Sequence, residues 1–536
     1  MTQGYAIAAG HPLTAEAGAE VLAAGGSAVD AVIAGAAMAM VAEPVLAGLL
    51  GGGFLMLRGA DGTVDCLDLF VDTPKVKRPL ADCDLQEIEA DFGGVTQRFR
   101  IGAGTVAVSG IAPGLVAAHA RAGRMPLRAL LEPAVAAARE GVAVTGFQAR
   151  LGQIVRPILT SSPAARALNA DGAGVPLAEG AVRKNPDFAE VLEVFGIEGP
   201  DFVQQGEVAA ALLDQMAAGG HLTRDDLAGW RAAWRRPLIQ RRGRVRFALN
   251  PPPALGGSLT GLPLALLPPR PGPAARLAAL ALTTMARRDS GIDAAPDAGA
   301  AVLAGGALQS ELRAVLAGPA GAWLAEAEAA ARRGRALRGT THLSAVDPSG
   351  AAAALTLSNG EGCGLIVPGT GIMANNMLGE DDLVPAAAEG DPLGWTPGRR
   401  LSSMMAPMVA SWDDGRVAIL GSGGSNRIRT ALAEVGWRLA DETPEGRLPD
   451  LEAAIAAPRM HVEGVGEAAV LDYERTGLSE ADETALRSAW PEACATPRGW
   501  DAPSMFFGGV HAVARDPAGQ VAAAGDPRRA GAAAVG

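Results

Sequence analysis

Apolar residues recur at helical spacing near the start of the chain. Between residues 12 and 42 this pattern predicts two helices, which the pair Gly25-Gly26 separates. Ser27 and Asp30 stand where the second helix begins, and their side chains can cap its free N–H groups. Two later blocks show the same spacing, with Gly and Pro between their apolar runs: residues 115–140 and 187–227. We therefore expect the middle of the chain to be mainly helical.

Short apolar runs joined by turn residues predict two strand hairpins. The first hairpin joins residues 54–57 to residues 64–70 through an Ala-Asp-Gly turn. The second joins residues 341–347 to residues 353–358 through a Pro-Ser-Gly turn. Because helical blocks flank both hairpins, the pattern predicts a layered α/β protein whose sheets are covered by helices.

A basic segment lies directly before the second hairpin. Residues 332–338 read Arg-Arg-Gly-Arg-Ala-Leu-Arg, and a run of like charge that Gly interrupts is typical of a solvated loop. This loop is expected to lead straight into the first residue of the hairpin.

Composition and charge limit the partners of the protein. The 536-residue chain is 49% hydrophobic and 19% charged, which is typical of a folded protein and not of a disordered one. Its formal net charge of −12 would repel phosphate backbones and anionic lipid headgroups. The most apolar stretch, residues 28–42, is too short and too polar to span a bilayer. We therefore expect neither nucleic acid nor a membrane as a partner.

The N-terminus and the cysteines bear on the cellular compartment. No basic stretch followed by an apolar one opens the chain, so no secretory leader is predicted. The four cysteines lie far apart without a C-x-x-C pair, which matches neither a disulfide framework nor a zinc ribbon. A reducing cytoplasm fits these features best. A periplasmic location stays open for a chain from which a leader has been removed.

The sequence patterns of several common enzyme classes are absent. The six histidines show no H-E-x-x-H spacing, so we expect no metal site. No G-x-S-x-G motif occurs, which removes the usual pattern of a serine hydrolase. Residues 48–53 are rich in Gly but no Gly-Lys-Ser/Thr follows them, so a phosphate-binding loop is not predicted. We expect no cofactor.

One motif is specific enough to suggest a family. Residues 339–347, Gly-Thr-Thr-His-Leu-Ser-Ala-Val-Asp, closely resemble the T-T-H-x-S-x-x-D start of the small subunit in γ-glutamyltransferases. Further motifs follow in that family's order: Asn375-Asn376, Leu401-Ser402-Ser403-Met404 and Gly421-Ser422-Gly423-Gly424-Ser425. Motifs in the N-terminal half agree as well, among them Gly51-Gly52-Gly53-Phe54. The chain is similar to this family, also called glutathione hydrolases, over nearly its whole length.

The resemblance implies a fold and a division of the chain. The fold would be that of an N-terminal-nucleophile (Ntn) hydrolase, an αββα four-layer sandwich with a helical region in the large chain. One precursor would be cut between Gly339 and Thr340. The products would be a large chain of residues 1–339 and a small chain of residues 340–536, which form a heterodimer. Whether two heterodimers pair further is left open.

The chemistry expected at Thr340 follows from the residue itself. A threonine hydroxyl is a weak nucleophile until a base removes its proton. Cutting the chain before Thr340 would free an α-amino group, with an ordinary pKa of about 8, on the same residue. The same hydroxyl could make the cut by attacking the carbonyl of Gly339. Glycine is suited to that position because it tolerates a strained backbone.

The resemblance also assigns roles to residues around the nucleophile. The backbone N–H groups of Gly423 and Gly424 would form the oxyanion hole, since amides reach a tetrahedral oxygen only where side chains stay clear. Ser358 stands where the family has a second Thr that orients the nucleophile. Asn359 lies near the family's substrate-binding Asn, in a loop that is two residues shorter here.

Residues expected to bind the substrate depart from the family pattern. Ser402 and Ser403 match the pair that holds the substrate α-carboxylate, but Phe70 stands where members that use glutathione have an Arg for the same group. Met377 replaces a substrate-binding Gln, and Glu380 replaces an Asp that binds the α-amine. Losing a charge-assisted hydrogen bond to a carboxylate removes about 1.5 to 3 kcal/mol of binding. Weak use of glutathione, or a different acyl group, is therefore expected.

Three functions stay open on these residues. The leading prediction is an acyltransferase or hydrolase that cleaves γ-glutamyl amides such as glutathione through an acyl-Thr340 intermediate. The alternative with the same fold is an amidase for other acyl or dicarboxylic amides, similar to the cephalosporin acylases, which Phe70 and Met377 favour. The third is an unprocessed, inactive binding protein. Retention of Thr340, Ser358 and the Gly pair argues against that last reading.

Overall fold

A computed structural model describes residues 4–91, 96–316, 339–380, 383 and 393–536. The basic loop predicted at residues 332–338 lies outside the described residues. No helix in the described part of the chain is long and apolar enough to cross a membrane.

Seven antiparallel strands form the first of two large sheets. Their spatial order is β22 (Ala532–Val535), β1 (Ala6–Ala9), β11 (Thr341–Val346), β12 (Ala352–Ser358), β2 (Gly52–Arg58), β3 (Val64–Leu69) and β8 (Ala233–Arg235). The two hairpins predicted from the sequence, β2–β3 and β11–β12, are confirmed. They lie side by side, because β12 pairs with β2.

Six antiparallel strands form the second large sheet. Their order is β21 (Val521–Ala524), β20 (Gly509–Arg515), β16 (Val417–Gly423), β15 (Met408–Trp412), β10 (Val245–Leu249) and β9 (Leu238–Arg242). Strands β16 and β20 face β11 across the space between the sheets. The end of β16 therefore comes close to the start of β11.

Alternation of side chains along the strands places the core on both faces of each sheet. In β2, Phe54 and Met56 point between the two sheets, whereas Leu55 and Leu57 point to the outer face. In β16, Ile419 faces the first sheet in the same way, and its neighbours in sequence face outward. Both sheets are therefore buried on both sides.

Helices cover the two outer faces. The first sheet is covered by α1 (Pro12–Ala23) and α2 (Ala28–Ala42), which are the two helices predicted from the sequence. The capping box between Ser27 and Asp30 is also confirmed, with both of its hydrogen bonds present. The second sheet is covered by α12 (Gly256–Leu266) and α16 (Arg427–Glu442). The layers run helix, sheet, sheet, helix, as the αββα expectation requires.

The remaining elements surround this sandwich. The helical blocks predicted in the middle of the chain are confirmed as α3 (Ile111–Ala122), α4 (Leu127–Glu140), α8 (Pro186–Glu198), α9 (Pro200–Gln204), α10 (Glu207–Met216) and α11 (Arg224–Gly229). Other helices are α5 (Gly146–Ile154), α6 (Arg156–Leu159), α7 (Pro163–Asn169), α13 (Pro273–Asp289), α14 (Pro296–Ala304), α15 (Gly306–Leu316), α17 (Leu451–Ala456) and α18 (Glu480–Ser488). Small sheets contain β4 (Gln86–Asp91), β5 (Thr96–Ile101), β6 (Val142–Ala143), β7 (Val182–Arg183), β13 (Ile366–Val367), β14 (Ile372–Met373), β17 (Met460–Glu463), β18 (Val470–Glu474) and β19 (Arg498–Trp500).

Candidate active site

Thr340 lies where a loop enters β11, in the interior of the first sheet. Its side chain is buried and forms part of the wall of a cavity. Six other residues singled out in the sequence line the same cavity: Phe70, Ser358, Met377, Glu380, Ser402 and Ser403. We call this cavity the reaction pocket. The fold therefore brings together residues from both sides of the predicted cleavage site.

The peptide group of Gly339 is held by hydrogen bonds on both of its sides. The hydroxyl of Ser358 donates to the carbonyl oxygen of Gly339. The N–H of Gly339 donates to a carboxylate oxygen of Glu361 at 3.0 Å. A donor on the carbonyl oxygen draws electrons from the carbon that the Thr340 hydroxyl would attack. Ser358 thus contacts the carbonyl of Gly339, and its predicted contact with the hydroxyl of Thr340 stays a prediction.

Lack of space explains two of the glycines around Thr340, and backbone conformation explains a third. A side chain on Gly339 would collide with backbone carbonyls of two neighbouring loops, so space rather than a strained backbone accounts for this glycine. A side chain on Gly423 would collide with the carbonyl oxygen of Thr340. Gly424 has a φ of +126°, a conformation that other residues rarely adopt. The Gly pair thus lies against the backbone of Thr340, and its role as an oxyanion hole stays a prediction.

A buried carboxylate anchors the residue after Thr340. Glu43 accepts hydrogen bonds from the hydroxyls of Thr341 at 2.8 Å and Thr14 at 2.9 Å. Burial raises the pKa of Glu43 to about 7, although both hydrogen bonds and the charge of Arg529 act in the opposite direction. The buried guanidinium of Arg529 donates a long hydrogen bond of 3.4 Å to the carbonyl of Thr340. Groups from both ends of the chain therefore fix the backbone at Thr340.

The histidine of the family motif lies between the two sheets and does not line the reaction pocket. His342 is fully buried, and its ring nitrogens lie 2.8 Å from the hydroxyls of Thr356 and Ser344. Burial holds the pKa of His342 well below its usual value, and the nearby His511 acts in the same direction. A neutral ring that is satisfied by two hydroxyls serves packing between the sheets.

One wall of the reaction pocket is apolar. The ring of Phe70 stacks on Phe54 with the centroids 5.5 Å apart, and the side chain of Met377 is buried beside it. No Arg, Lys or His stands among the described residues that line the pocket. Arg400 lies behind this wall, but its guanidinium is engaged by the carboxylate of Asp68 at 2.8 Å. The described pocket wall therefore offers no cation to a substrate carboxylate.

Polar groups also line the pocket. Glu380 is buried there, and Ser402 and Ser403 form an adjacent part of the wall. The Ser403 hydroxyl accepts a hydrogen bond from the N–H of Met405 at 3.1 Å, and its carbonyl accepts one from the N–H of Leu255 at 2.8 Å. These contacts fix the serine loop. A carboxylate at Glu380 suits an ammonium group or a hydroxyl of a substrate.

Asn359 does not line the reaction pocket, although the sequence placed it with the substrate-binding residues. Its side-chain N–H donates to the carbonyl of Met373 at 3.0 Å, and the residue lines a second cavity on the other side of its loop. Gly360 follows with a φ of +66°, which turns the chain at this point. The position of Asn359 therefore gives no support to a contact with substrate in the reaction pocket.

Three residues near Thr340 were not singled out in the sequence. Glu43 follows helix α2, Glu361 follows the turn after Ser358, and Arg529 lies close to the C-terminus. Each reaches the site through the fold and belongs to no motif that names its chemistry. Of these three residues, only Glu361 could have been recognised from the sequence, because it is an acidic residue close in the chain to Ser358.

The described ranges place no group of three or more His, Cys, Asp or Glu side chains to hold a metal ion. None of the four cysteines, all of which lie in these ranges, forms a disulfide.

Comparison with known proteins adds to this geometry. The sequence profile of the gamma-glutamyltranspeptidase family matches residues 14–270 and 313–536. The chain is 32% identical to the acylase ACY 1 proenzyme of Pseudomonas sp. (strain SE83), over 97% of this chain and 91% of that protein. It is 29% identical to the glutathione hydrolase proenzyme of Pseudomonas aeruginosa, over 85% of this chain and 83% of that protein.

A solved structure agrees with the observed layers. The cephalosporin acylase from Bacillus halodurans superimposes with a TM-score of 0.75, over 99% of this chain and 96% of that chain, at 22% sequence identity. At this identity the likeness concerns the fold alone. The fold is that of the Ntn hydrolases, as the sequence motifs implied.

Proposed function

The chain belongs to the gamma-glutamyltranspeptidase family, and on that premise we propose that it is a self-cleaving amide hydrolase whose nucleophile is Thr340. The observation that carries the proposal is the hydrogen bond from Ser358 to the carbonyl of Gly339. Thr340, the next residue in the chain, lines the reaction pocket together with Ser358. A hydroxyl nucleophile, a polarised carbonyl and a cavity for an acyl group thus occur in one place.

In the self-cleaving step the Thr340 hydroxyl oxygen attacks the carbonyl carbon of Gly339. The bond from that carbon to the Thr340 nitrogen breaks, and the hydroxyl proton goes to the nitrogen. Water then hydrolyses the resulting ester, which leaves a carboxylate on Gly339 and a free α-amine on Thr340. The Ser358 hydroxyl stabilises the negative charge that develops on the carbonyl oxygen, and loss of one such donor costs about 2.7 to 4 kcal/mol in a comparable site.

In turnover the same hydroxyl attacks the carbonyl carbon of an acyl amide. The α-amine of Thr340 accepts the hydroxyl proton and passes it to the leaving amine, because its ordinary pKa of about 8 leaves part of it unprotonated near neutral pH. Water, or a second amine, then takes the acyl group from the ester. These proton transfers use only groups that Thr340 itself supplies after cleavage.

The two products are expected to stay together as a heterodimer. In the first sheet, β11 and β12 of the predicted small chain lie between β1 and β2 of the predicted large chain. In the second sheet, β15 pairs with β10 of the large chain. Separating the chains would therefore break strand pairing in both sheets and expose the core between them.

The residues of the pocket wall indicate which acyl groups the pocket accepts. Phe70 and Met377 offer apolar surface where an anion clamp would otherwise stand, and no cation lines the described part of the wall. A substrate carboxylate would lose its hydration there without gaining an ionic partner. We infer that acyl groups without an α-carboxylate react at least as well as γ-glutamyl groups.

Four chromogenic anilides of one chain length test this inference. The butanoyl amide carries neither charged group, the 4-aminobutanoyl amide adds the amine, the glutaryl amide adds the carboxylate, and the γ-glutamyl amide adds both. Adding the carboxylate should leave kcat/KM unchanged or lower it, because the carboxylate loses hydration and no cation receives it. An increase of tenfold or more on adding the carboxylate would overturn the inference.

Hydrolysis of γ-glutamyl amides such as glutathione is the second candidate. It is favoured by Glu380, Ser402 and Ser403, which line the pocket and match the groups expected to hold an α-amine and an α-carboxylate. A relative named as a glutathione hydrolase proenzyme points the same way. In the anilide series this candidate predicts that the γ-glutamyl amide is preferred over all the others.

A further inference from the structure

A second cavity system lies away from the reaction pocket, beside the helical part of the large-chain region. Two adjoining cavities share the residues Pro44, Leu159, Asn169 and Arg183. We call the combined space the lobe cavity. Thr340 does not line it.

Arg183 gives the lobe cavity a positive charge that no carboxylate in the described ranges neutralises. Its Nε donates one hydrogen bond, at 3.2 Å, to the neutral side-chain oxygen of Asn169. Burial lowers the pKa of the guanidinium to about 10, so it remains cationic at neutral pH. Strand β7 holds Arg183 opposite Val142 of β6, so its place in the cavity wall is fixed by strand pairing. The residue is half-buried, and a partly desolvated cation without an ionic partner favours the binding of an anion.

Two buried amide side chains in the cavity wall have unused hydrogen-bonding groups. Gln148 is 8% exposed, and its Nε2 has no hydrogen-bond partner in the structure. Asn359 is 2% exposed, and its Oδ1 lacks a partner in the same way. Buried polar atoms are rarely left unpaired in proteins. The donor of Gln148 and the cation of Arg183 line the same half of the cavity and suit the two oxygens of a carboxylate.

The rest of that half is apolar. Its lining includes Val41, Val45, Val142 and Leu159. An inorganic anion would satisfy the cation and leave this surface unfilled. A ligand with an apolar body and one anionic head would use both parts of the wall, which is the usual composition of a small-molecule site.

We propose that the lobe cavity is a second ligand site, which binds a monocarboxylate with an apolar body through Arg183 and Gln148. The site is distinct from the reaction pocket, and its existence does not depend on the proposed reaction. Asn359 directly follows Ser358 in the chain, so a ligand in the lobe cavity would lie one residue from the group that contacts the Gly339 carbonyl.

Isothermal titration of the purified full-length protein tests the proposal. The probes are octanoate, octan-1-ol, octylamine and inorganic phosphate. Octanoate should bind at least about tenfold more tightly than octan-1-ol or octylamine, because only it can form a charge-assisted pair with Arg183. Phosphate should bind more weakly than octanoate because it leaves the apolar wall uncovered.

Variants locate the binding. Arg183→Met removes the charge and keeps an apolar stem, and it should weaken octanoate binding at least about tenfold. Gln148→Leu should weaken it less. Arg139→Met is the matched control, since Arg139 lies on α4 in the same region and pairs with Glu193 at the surface. This control should leave octanoate binding unchanged.

Three results would overturn the proposal. One is the absence of octanoate binding, and another is equal affinity for octanoate and octan-1-ol in the unmutated protein. The third is octanoate binding that Arg183→Met leaves unchanged. If Arg183→Met fails to fold, Arg183→Lys together with the comparison of octanoate and octan-1-ol in the unmutated protein still decides the question.

Discussion

The two ends of the reaction pocket are built from different chemistry. At one end, Ser358 and Glu361 hold the peptide group of Gly339 by hydrogen bonds to its carbonyl and its N–H. At the other end, Phe70 and Met377 form an apolar wall. Under the proposed function, bond cleavage and recognition of the acyl group would therefore depend on separate residues. A change of substrate needs only the second set to change.

The largest effect, on both processing and amidase activity, should follow from removing the hydroxyl of Thr340. Thr340→Ala removes the hydroxyl that cuts the chain and later carries the acyl group. We expect a single chain near 54 kDa on a denaturing gel and no measurable amidase activity. Thr341→Ser is the matched control, because it keeps the neighbouring hydroxyl that Glu43 accepts from, and it should still be processed. Two subunit bands from Thr340→Ala would contradict the assignment.

A smaller effect should come from the donor at the polar end. Ser358→Ala removes the hydrogen bond to the Gly339 carbonyl and should slow self-cleavage by about 10² to 10³, the range seen when one oxyanion donor is lost. Ser358→Thr keeps the hydroxyl and should restore most of the rate. The measurement is the time course of precursor loss on a gel. Equal rates for the Ala and Thr variants would show that the contact has no role in cleavage.

The apolar end can be changed without the polar end. Phe70→Arg places a cation in the wall and should improve the γ-glutamyl anilide relative to the 4-aminobutanoyl anilide by about ten- to a hundredfold in kcat/KM. Self-cleavage should stay as in the parent, since Phe70 takes no part in the hydrogen bonds that hold the peptide group of Gly339. Phe70→Leu is the control that keeps an apolar wall. Unchanged selectivity in Phe70→Arg would mean that another group binds the carboxylate.

The smallest effect is expected in the pH dependence of stability, through Glu43, which accepts a hydrogen bond from Thr341 beside Thr340. Burial raises the pKa of Glu43 from 4.5 to about 7, so between these values the folded chain holds a proton that the unfolded chain has released. Stability is therefore lost as pH rises through this window, by up to about 3 kcal/mol. Glu43→Gln does not titrate, and its melting temperature relative to the parent should rise between pH 5 and pH 8 by a few degrees.

This pH experiment is best made in the Thr340→Ala background, where one chain unfolds and cleavage does not interfere. Glu16→Gln in helix α1 serves as a control, since Glu16 is exposed. A difference between Glu43→Gln and its parent that stays constant from pH 5 to pH 8 would show that Glu43 does not titrate in this range.

Local patterns in the sequence predicted helices and strand hairpins, but not which distant strands pair with each other. The two helices within residues 12–42 and both hairpins follow from periodicity within short stretches. The pairing of β12 with β2 and of β1 with β22 joins segments that are far apart in the chain. Such pairing is set by packing of the whole sandwich, which no local pattern encodes.

The residues of the candidate site also divide into those that the sequence predicted and those whose position depends on the fold. The motif at Thr340 and the residues of the apolar wall were found from the sequence, because they stand at family positions and their replacements are visible there. Asn359 lines the second cavity and not the reaction pocket, because the turn at Gly360 and the bond to Met373 direct its side chain away, and its contact with substrate stays a prediction. Glu43 was missed because it reaches Thr341 only through the packing of a helix end against β11.

The central claim is that Thr340 becomes the N-terminus of the small chain and acts as the nucleophile. N-terminal sequencing and intact mass of the smaller fragment, from freshly purified active protein, test it most directly. The account predicts a fragment that begins Thr-Thr-His-Leu-Ser and ends with the C-terminus of the chain, because the α-amine of Thr340 must be free to act as the base. An active protein that remains one intact chain, or a fragment that begins at another residue, would contradict it.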